Sequence, residues 1–147
     1  MSRDSNIMGN SGSLCKINFE DMQSAIKGGS TVIVNTLPID RQRCLIKGTI
    51  PATDEADTLN AYMSKGSSDV RIIVYGENAS DDRVGDKYKQ LVGLGFSNVF
   101  VYPGGMFEWL LLQDIHGKDI FQTTAKENDF LKYRGRKIFD VRMITDR

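Results

Sequence analysis

Three short apolar runs constrain the fold of this chain more than any other feature of its sequence. They read TVIVN (31–35), VRIIVYG (70–76) and NVFVY (98–102), and their apolar residues are consecutive apart from Val70, which Arg71 separates from the rest. A strand with one solvated face alternates apolar and polar residues, whereas a continuous β-branched run is typical of a strand buried on both faces. The runs therefore predict three inner strands of a sheet that is covered on both sides.

The segments between these runs have the spacing of amphipathic helices. The first helix is predicted after Asn18, a common helix-capping residue, and ends at Gly28–Gly29. The residues predicted to face inward are Phe19, Met22 and Ile26 in the first helix, Leu59, Tyr62 and Met63 in the second, and Val84, Tyr88, Leu91 and Val92 in the third. Strands that alternate with helices predict an α/β fold, a mostly parallel central sheet with helices on both faces.

The overall composition excludes several classes of function. Lys plus Arg and Asp plus Glu both number 19, so the zero net charge gives no basis for binding nucleic acid or an anionic membrane. No apolar run approaches the roughly 20 residues of a membrane span. Residues 1–13 are polar and lack a signal-peptide core, which predicts a mobile polar tail on a cytoplasmic protein. With two cysteines, one histidine and no close cysteine pair, we expect no metal site and no cofactor.

The loop after the second run has the position of a functional site. In α/β proteins, a tight loop between a strand and a helix often holds an anion or a nucleophile. This loop contains no cysteine or lysine, and only its arginine opposes its three carboxylates. Its residues are Gly76, Glu77, Asn78, Ala79, Ser80, Asp81, Asp82 and Arg83. Asp81 and Asp82 suit the N-terminus of the next helix, where a carboxylate accepts hydrogen bonds from free amides. The alternative is that the carboxylates receive a cation or a basic peptide.

Four segments, in order, resemble the rhodanese-like domain. They are FEDMQSAIKGGSTVIVNTL, IKGTIPA, IIVYGENASDDR and LVGLGFSNVFVYPGGMFEW, within residues 18–115. The resemblance implies a rhodanese-like three-layer α/β sandwich. It also implies a domain over residues 14–117, followed by an extension, 118–147, that packs on the domain or on a partner. In the family that the chain resembles, a cysteine in the third segment carries a persulfide.

The chain departs from this pattern where the chemistry is expected. The resemblance places the cysteine at Gly76, or at Glu77 when the loop is counted back from Arg83 as in the related dual-specificity phosphatases. Neither residue can carry a persulfide. The family's Asp-x-Arg corresponds to Asn-Thr-Leu at 35–37, and the histidine of its proline turn to Thr49. The resemblance therefore implies a non-catalytic protein-binding, scaffolding or regulatory module with a protein partner.

Two enzymatic alternatives stay open at this point. A sulfurtransferase would need Cys44 as its nucleophile, although a surface or half-buried thiol is predicted there. A phosphatase-like or other enzyme would need Glu77, Asp81 or Asp82 as an acid–base or metal group. Ser80 lacks a partner base, because His116, the single histidine, is predicted to end a helix.

The last third of the chain carries further predictions. In MFEWLLLQ (106–113), the apolar residues cover more than one helix face, so most belong to the core and the rest suit a partner or a homodimer. Thr124 and Glu127 have the spacing of a capping box, which predicts a short helix. The basic end of the chain predicts an edge strand over Lys137–Ile144, or a solvated tail.

Overall fold

The computed structural model describes residues 14–139 of the chain. The predicted mobile tail, 1–13, and most of the predicted edge strand, Lys137–Ile144, lie outside the described residues. Among the residues that are described, no helix is both long and apolar enough to cross a bilayer.

A parallel three-stranded sheet forms the centre of the domain. Its strands are β1 (Val32–Asn35), β2 (Ile72–Tyr75) and β3 (Val99–Tyr102), in the order β1-β2-β3. Each strand pairs in parallel with its neighbour, as the continuous apolar runs predict. Short parallel bridges continue the sheet at both edges, from Thr49 to β1 and from Lys16 to β3.

Four helices connect and cover these strands, each where the sequence predicts one. They are α1 (Phe19–Gly28), α2 (Glu55–Ser64), α3 (Asp82–Gly93) and α4 (Gly105–His116). The start of α1 confirms the predicted cap, because the Asn18 side chain accepts a hydrogen bond from the Asp21 amide at 3.0 Å. The Asp21 carboxylate in turn accepts from the Asn18 amide at 3.2 Å, which completes a capping box.

Alternate residues of the strands point to two separate apolar clusters, one on each face of the sheet. One cluster joins Ile33 and Ile73 to residues of α1 and α4. The other joins Val32 and Val34 to residues of α2 and α3. The sheet is thus covered on both faces, which confirms the predicted three-layer α/β architecture.

Two of the residues predicted to face inward lie at the surface instead. Met63 of α2 is 39% exposed and Val92 of α3 is 46% exposed. Val92 directly follows the buried Leu91, and successive residues of a helix point about 100° apart. In α3 the buried Leu91 closes the core, so Val92 stays in solvent. In α2 the buried residue is Leu59, and Met63 lies one turn beyond it at the surface.

Residues 121–133 of the extension lie against the domain rather than away from it. The Trp109 indole donates to the Gln122 carbonyl at 3.0 Å, and Phe121 is buried beside Trp109. Farther on, a short 3₁₀ turn, Phe130–Tyr133, packs on α4.

The capping box predicted at Thr124 is wrong. The Thr124 hydroxyl accepts from the Leu45 amide at 3.0 Å, and the Thr124 amide donates to the Leu45 carbonyl at 2.8 Å. These distant partners hold the backbone extended, so no helix starts here. Residues 137–139 contain no strand.

Candidate functional site

The loop from Gly76 to Asp81 lies where the carboxyl end of β2 meets the first turns of two helices. It leads into α3, and its backbone also caps α4. The carbonyls of Gly76 and Glu77 accept hydrogen bonds from the Met106 and Phe107 amides, both at 2.9 Å. Gly105 has φ 65°, and a Cβ there would lie 2.5 Å from the Gly76 oxygen, so glycine allows this close approach.

Asp81 is the hydrogen-bonding centre of the loop. It caps α3, since its Oδ1 accepts from the Arg83 amide at 3.0 Å and from Arg83 Nε at 2.9 Å. Its Oδ2 accepts from the Glu77 amide and from the Thr36 hydroxyl, each at 3.0 Å. The predicted capping role of Asp81 is confirmed, while Asp82 occupies the exposed first position of the helix.

These contacts fix the charge of Asp81. Partial burial by itself raises the pKa of this carboxyl. The hydrogen bonds from the Arg83 side chain, from the Glu77 and Arg83 amides and from Thr36 outweigh burial and hold the pKa below its usual value. Asp81 is therefore a carboxylate at neutral pH, placed at the positive end of α3.

Other loop amides also have protein acceptors. The Ser80 amide donates to the Asn78 side chain at 2.8 Å, and the Asp81 amide donates to the Asn78 carbonyl at 3.2 Å. The Val84 amide donates to the Asp81 carbonyl at 3.2 Å. A loop binds an anion through amides that point at the ligand. Here the amides of Glu77, Ser80, Asp81, Arg83 and Val84 point at oxygens of the loop itself.

Gly76 is enclosed by three segments of the chain. A Cβ at this position would lie 2.6 Å from Val84 Cγ2 and 2.7 Å from Thr36 Oγ1, and also against Asp81 Oδ2. These distances are shorter than non-bonded atoms tolerate, so the packing here requires glycine. The sequence carries no local signal for the full requirement, because one of the three neighbours, Thr36, comes from the segment just after β1.

The charges of the loop are balanced by a residue that the sequence did not suggest. Arg41 comes from the 3₁₀ turn Ile39–Arg41 between β1 and α2, and its Nη1 lies 3.2 Å from Glu77 Oε2. Arg83 Nη2 lies 3.9 Å from the other oxygen of Glu77. The prediction that Arg83 alone opposes the loop carboxylates is therefore wrong. Arg41 lies 36 positions before Glu77, beyond the reach of a local sequence pattern.

The residues considered as alternative nucleophiles lie elsewhere. The surface or half-buried position predicted for Cys44 is wrong: the residue is 2% exposed, and its thiol donates to the Ala125 carbonyl at 3.3 Å. Burial, together with the charge of Glu127, raises the pKa of the Cys44 thiol. His116 ends α4, as predicted, and is exposed. Within residues 14–139, no three His, Cys, Asp or Glu side chains are grouped so as to hold a metal ion.

Asn35 and Thr49, which replace residues of the family's Asp-x-Arg and proline-turn motifs, form hydrogen bonds within the domain. The Asn35 side chain accepts from the Leu37 amide at 2.9 Å and from Gln42 at 2.8 Å. The Thr49 hydroxyl lies 2.8 Å from the buried Tyr75 hydroxyl, so it joins the turn to β2. Both positions stabilise the connection between β1 and α2.

Comparison with known proteins gives one family and a set of similar folds. A model of the rhodanese-like domain matches residues 19–112, more than half of the chain. No curated protein sequence is significantly similar to the chain.

Three solved structures illustrate the structural similarity. A thiosulfate sulfurtransferase from Pseudomonas aeruginosa is 19% identical with a TM-score of 0.55, over 82% of this chain and 23% of that one. The BH2092 protein from Bacillus halodurans is 18% identical with a TM-score of 0.54, over 79% of this chain and 82% of that one. The Alr3790 protein from Anabaena sp. is 20% identical with a TM-score of 0.53, over 78% and 83%. Identities this low show a shared fold.

Proposed function

Because the chain belongs to the rhodanese-like domain family, we propose that it keeps the family's fold without the chemistry and acts as a protein-binding, scaffolding or regulatory module. The observation that carries this proposal is the position of the Asp81 carboxylate. It accepts hydrogen bonds from the Glu77 and Arg83 amides at the end of β2, where a bound anion would accept them. The loop thus supplies its own anion.

The chemistry of sulfur transfer supports the same proposal. A sulfurtransferase holds sulfur on a thiolate, which nearby amides and a helix N-terminus stabilise. The position that the resemblance assigns to this thiolate is Gly76, or Glu77, and neither side chain has a sulfur. A second negative group beside Asp81 would also be repelled.

The environment of Cys44 does not favour a substitute nucleophile. Its thiol is buried, and its raised pKa lowers the fraction of reactive thiolate at neutral pH. We therefore assign Cys44 to the core.

A cyanide–thiosulfate sulfur-transfer assay tests the proposal directly. We expect the full chain to give no turnover above a protein-free control, with an active sulfurtransferase as the positive control. Turnover that disappears in Cys44→Ser, with sulfane sulfur found on Cys44 by mass spectrometry, would establish the sulfurtransferase alternative. Hydrolysis of p-nitrophenyl phosphate that disappears in Glu77→Gln would establish the phosphatase-like alternative. Either result overturns the proposal.

A further inference from the structure

Residues 130–138, here called the C-terminal strap, lie across the loop from Gly76 to Asp81. The Asn78 side-chain amide donates to the Tyr133 carbonyl at 2.9 Å. Farther along the strap, a Cβ on Gly135 would lie 3.8 Å from Asn78 Oδ1 and 3.9 Å from Ser80 Oγ, ordinary van der Waals distances. Loop and strap line an open groove of 420 Å³. Its charged lining residues are Arg134 and Arg136 from the strap and Glu77, Asp81, Asp82 and Arg83 from the loop. The strap therefore lies on the loop as a bound peptide would.

Tyr133 is the anchor of the strap. It is 1% exposed and belongs to the buried cluster that contains Leu37 and Tyr75. The Arg41 guanidinium lies 5.3 Å from the centre of its ring, within the range of a cation–π contact. A buried aromatic side chain flanked by arginine is the usual form of an energetically dominant contact in protein interfaces.

Arg41 joins the anchor to the loop. One of its nitrogens lies 3.2 Å from Glu77 Oε2 and 2.5 Å from the Lys132 carbonyl. The same guanidinium thus contacts the loop carboxylate, the strap backbone and the ring of Tyr133.

The strap and the loop have opposite charges. The strap carries Lys132, Arg134, Arg136 and Lys137, of which Lys132 pairs with Glu127 at 2.6 Å. The loop carries Glu77, Asp81 and Asp82 against the single cation Arg83, so it is acidic on balance. Arg134 has extended backbone angles, and residues two apart in an extended chain point to the same side. This spacing accounts for both arginines lining the same groove as the acidic loop residues.

We propose that this acidic loop is a peptide-binding site for basic segments anchored by a tyrosine, and that the strap is its resident ligand. The inference rests on the proposed function, because a partner is what a non-catalytic module requires. Protein partners of this class present a basic segment with a tyrosine and compete with the strap. The strap lowers their apparent affinity in proportion to its occupancy.

The test uses the full chain and a fluorescent peptide of the strap sequence, FLKYRGRKI, with fluorescence anisotropy as the readout. In the variant Tyr133→Ala the strap loses its anchor, and we expect the peptide to bind at least tenfold tighter than to the wild type. A peptide with alanine in place of its tyrosine should lose this binding. Raising the salt concentration should weaken the binding of the tyrosine peptide, since the charges of the site are partly exposed.

A second variant keeps the test valid if Tyr133→Ala does not fold. In Arg134→Glu/Arg136→Glu only exposed strap residues change, and the same gain in peptide affinity is expected. Equal peptide affinities in the wild type and in every variant that folds, checked by circular dichroism, overturn the inference. Equal binding of the alanine peptide overturns it as well. Sulfur-transfer turnover is measured on the same samples: turnover refutes the proposed function, whereas absent peptide binding refutes only the inference.

Discussion

Replacing Gly76 by alanine should destabilise the protein, although the change adds one methyl group. The methyl would lie 2.6 Å from Val84 Cγ2 and 2.7 Å from Thr36 Oγ1. The Thr36 hydroxyl is itself bonded to Asp81 Oδ2 at 3.0 Å, so the methyl would separate β1 from the cap of α3. Overpacking of a filled interior costs about 1–3 kcal/mol. A weakened helix cap adds up to about 1 kcal/mol.

Gly85→Ala is the matched control. Gly85 lies within α3, four residues after Asp81, and a Cβ there would have no neighbour within 4 Å. Alanine in a helix is more stable than glycine by about 0.5–1 kcal/mol, so this variant should gain stability. The same substitution therefore has opposite effects at two nearby sites.

Urea unfolding followed by circular dichroism measures both variants. Gly76→Ala should lower the free energy of unfolding by about 1–4 kcal/mol, the sum of both effects, without changing the m-value. For a chain of this size, that corresponds to a lower Tm by roughly 2–4 °C per kcal/mol. If Gly76→Ala is as stable as the wild type while Gly85→Ala shows its gain, the loop has free space at Gly76. The packing argument for glycine is then refuted.

Three further predictions follow from contacts of the loop and the core. The pKa of Asp81 is held low in the folded state, so its carboxylate stabilises the folded protein. This contribution to stability is complete above the unfolded pKa of about 4 and is lost as the pH falls through the folded pKa. Asp81→Asn should thus have a flatter dependence of the urea midpoint on pH below about pH 4, and a curve parallel to that of the wild type would contradict this. Arg41→Ala should let trypsin cleave the C-terminal strap faster, whereas Arg71→Ala, an exposed arginine at the other end of β2, should leave the rate unchanged. Equal rates in the two variants would exclude Arg41 as the link between strap and loop. With a thiol reagent, Cys15 should react at once and Cys44 only on unfolding, so Cys15→Ser should abolish the fast phase. A fast phase that persists in Cys15→Ser would show that Cys44 is accessible.

Features encoded by neighbouring residues could be predicted from the sequence. The three strands follow from continuous apolar runs, and the cap of α1 from Asn18 and Asp21, which lie three positions apart. Asp81 likewise caps the helix that begins at the next residue. Each of these depends on interactions within one turn or one strand.

Features that depend on distant segments could not be predicted. Glu77 is balanced by Arg41, and the space at Gly76 is limited in part by Thr36, which directly follows β1. Thr124 has the local pattern of a cap, but its hydrogen bonds go to Leu45, 79 positions away. In each case the local pattern left several partners open, and tertiary packing selected one.

The hydrogen bonds between the loop and α4 also have a dynamic consequence. The Met106 and Phe107 amides donate to the carbonyls of Gly76 and Glu77, so the loop cannot move outward unless the first turn of α4 loses these acceptors. Loop and helix start should therefore open as one cooperative unit. Hydrogen exchange at Met106 and Phe107 then reports the opening of a loop some 30 positions earlier in the chain, with protection factors that match that of the Glu77 amide.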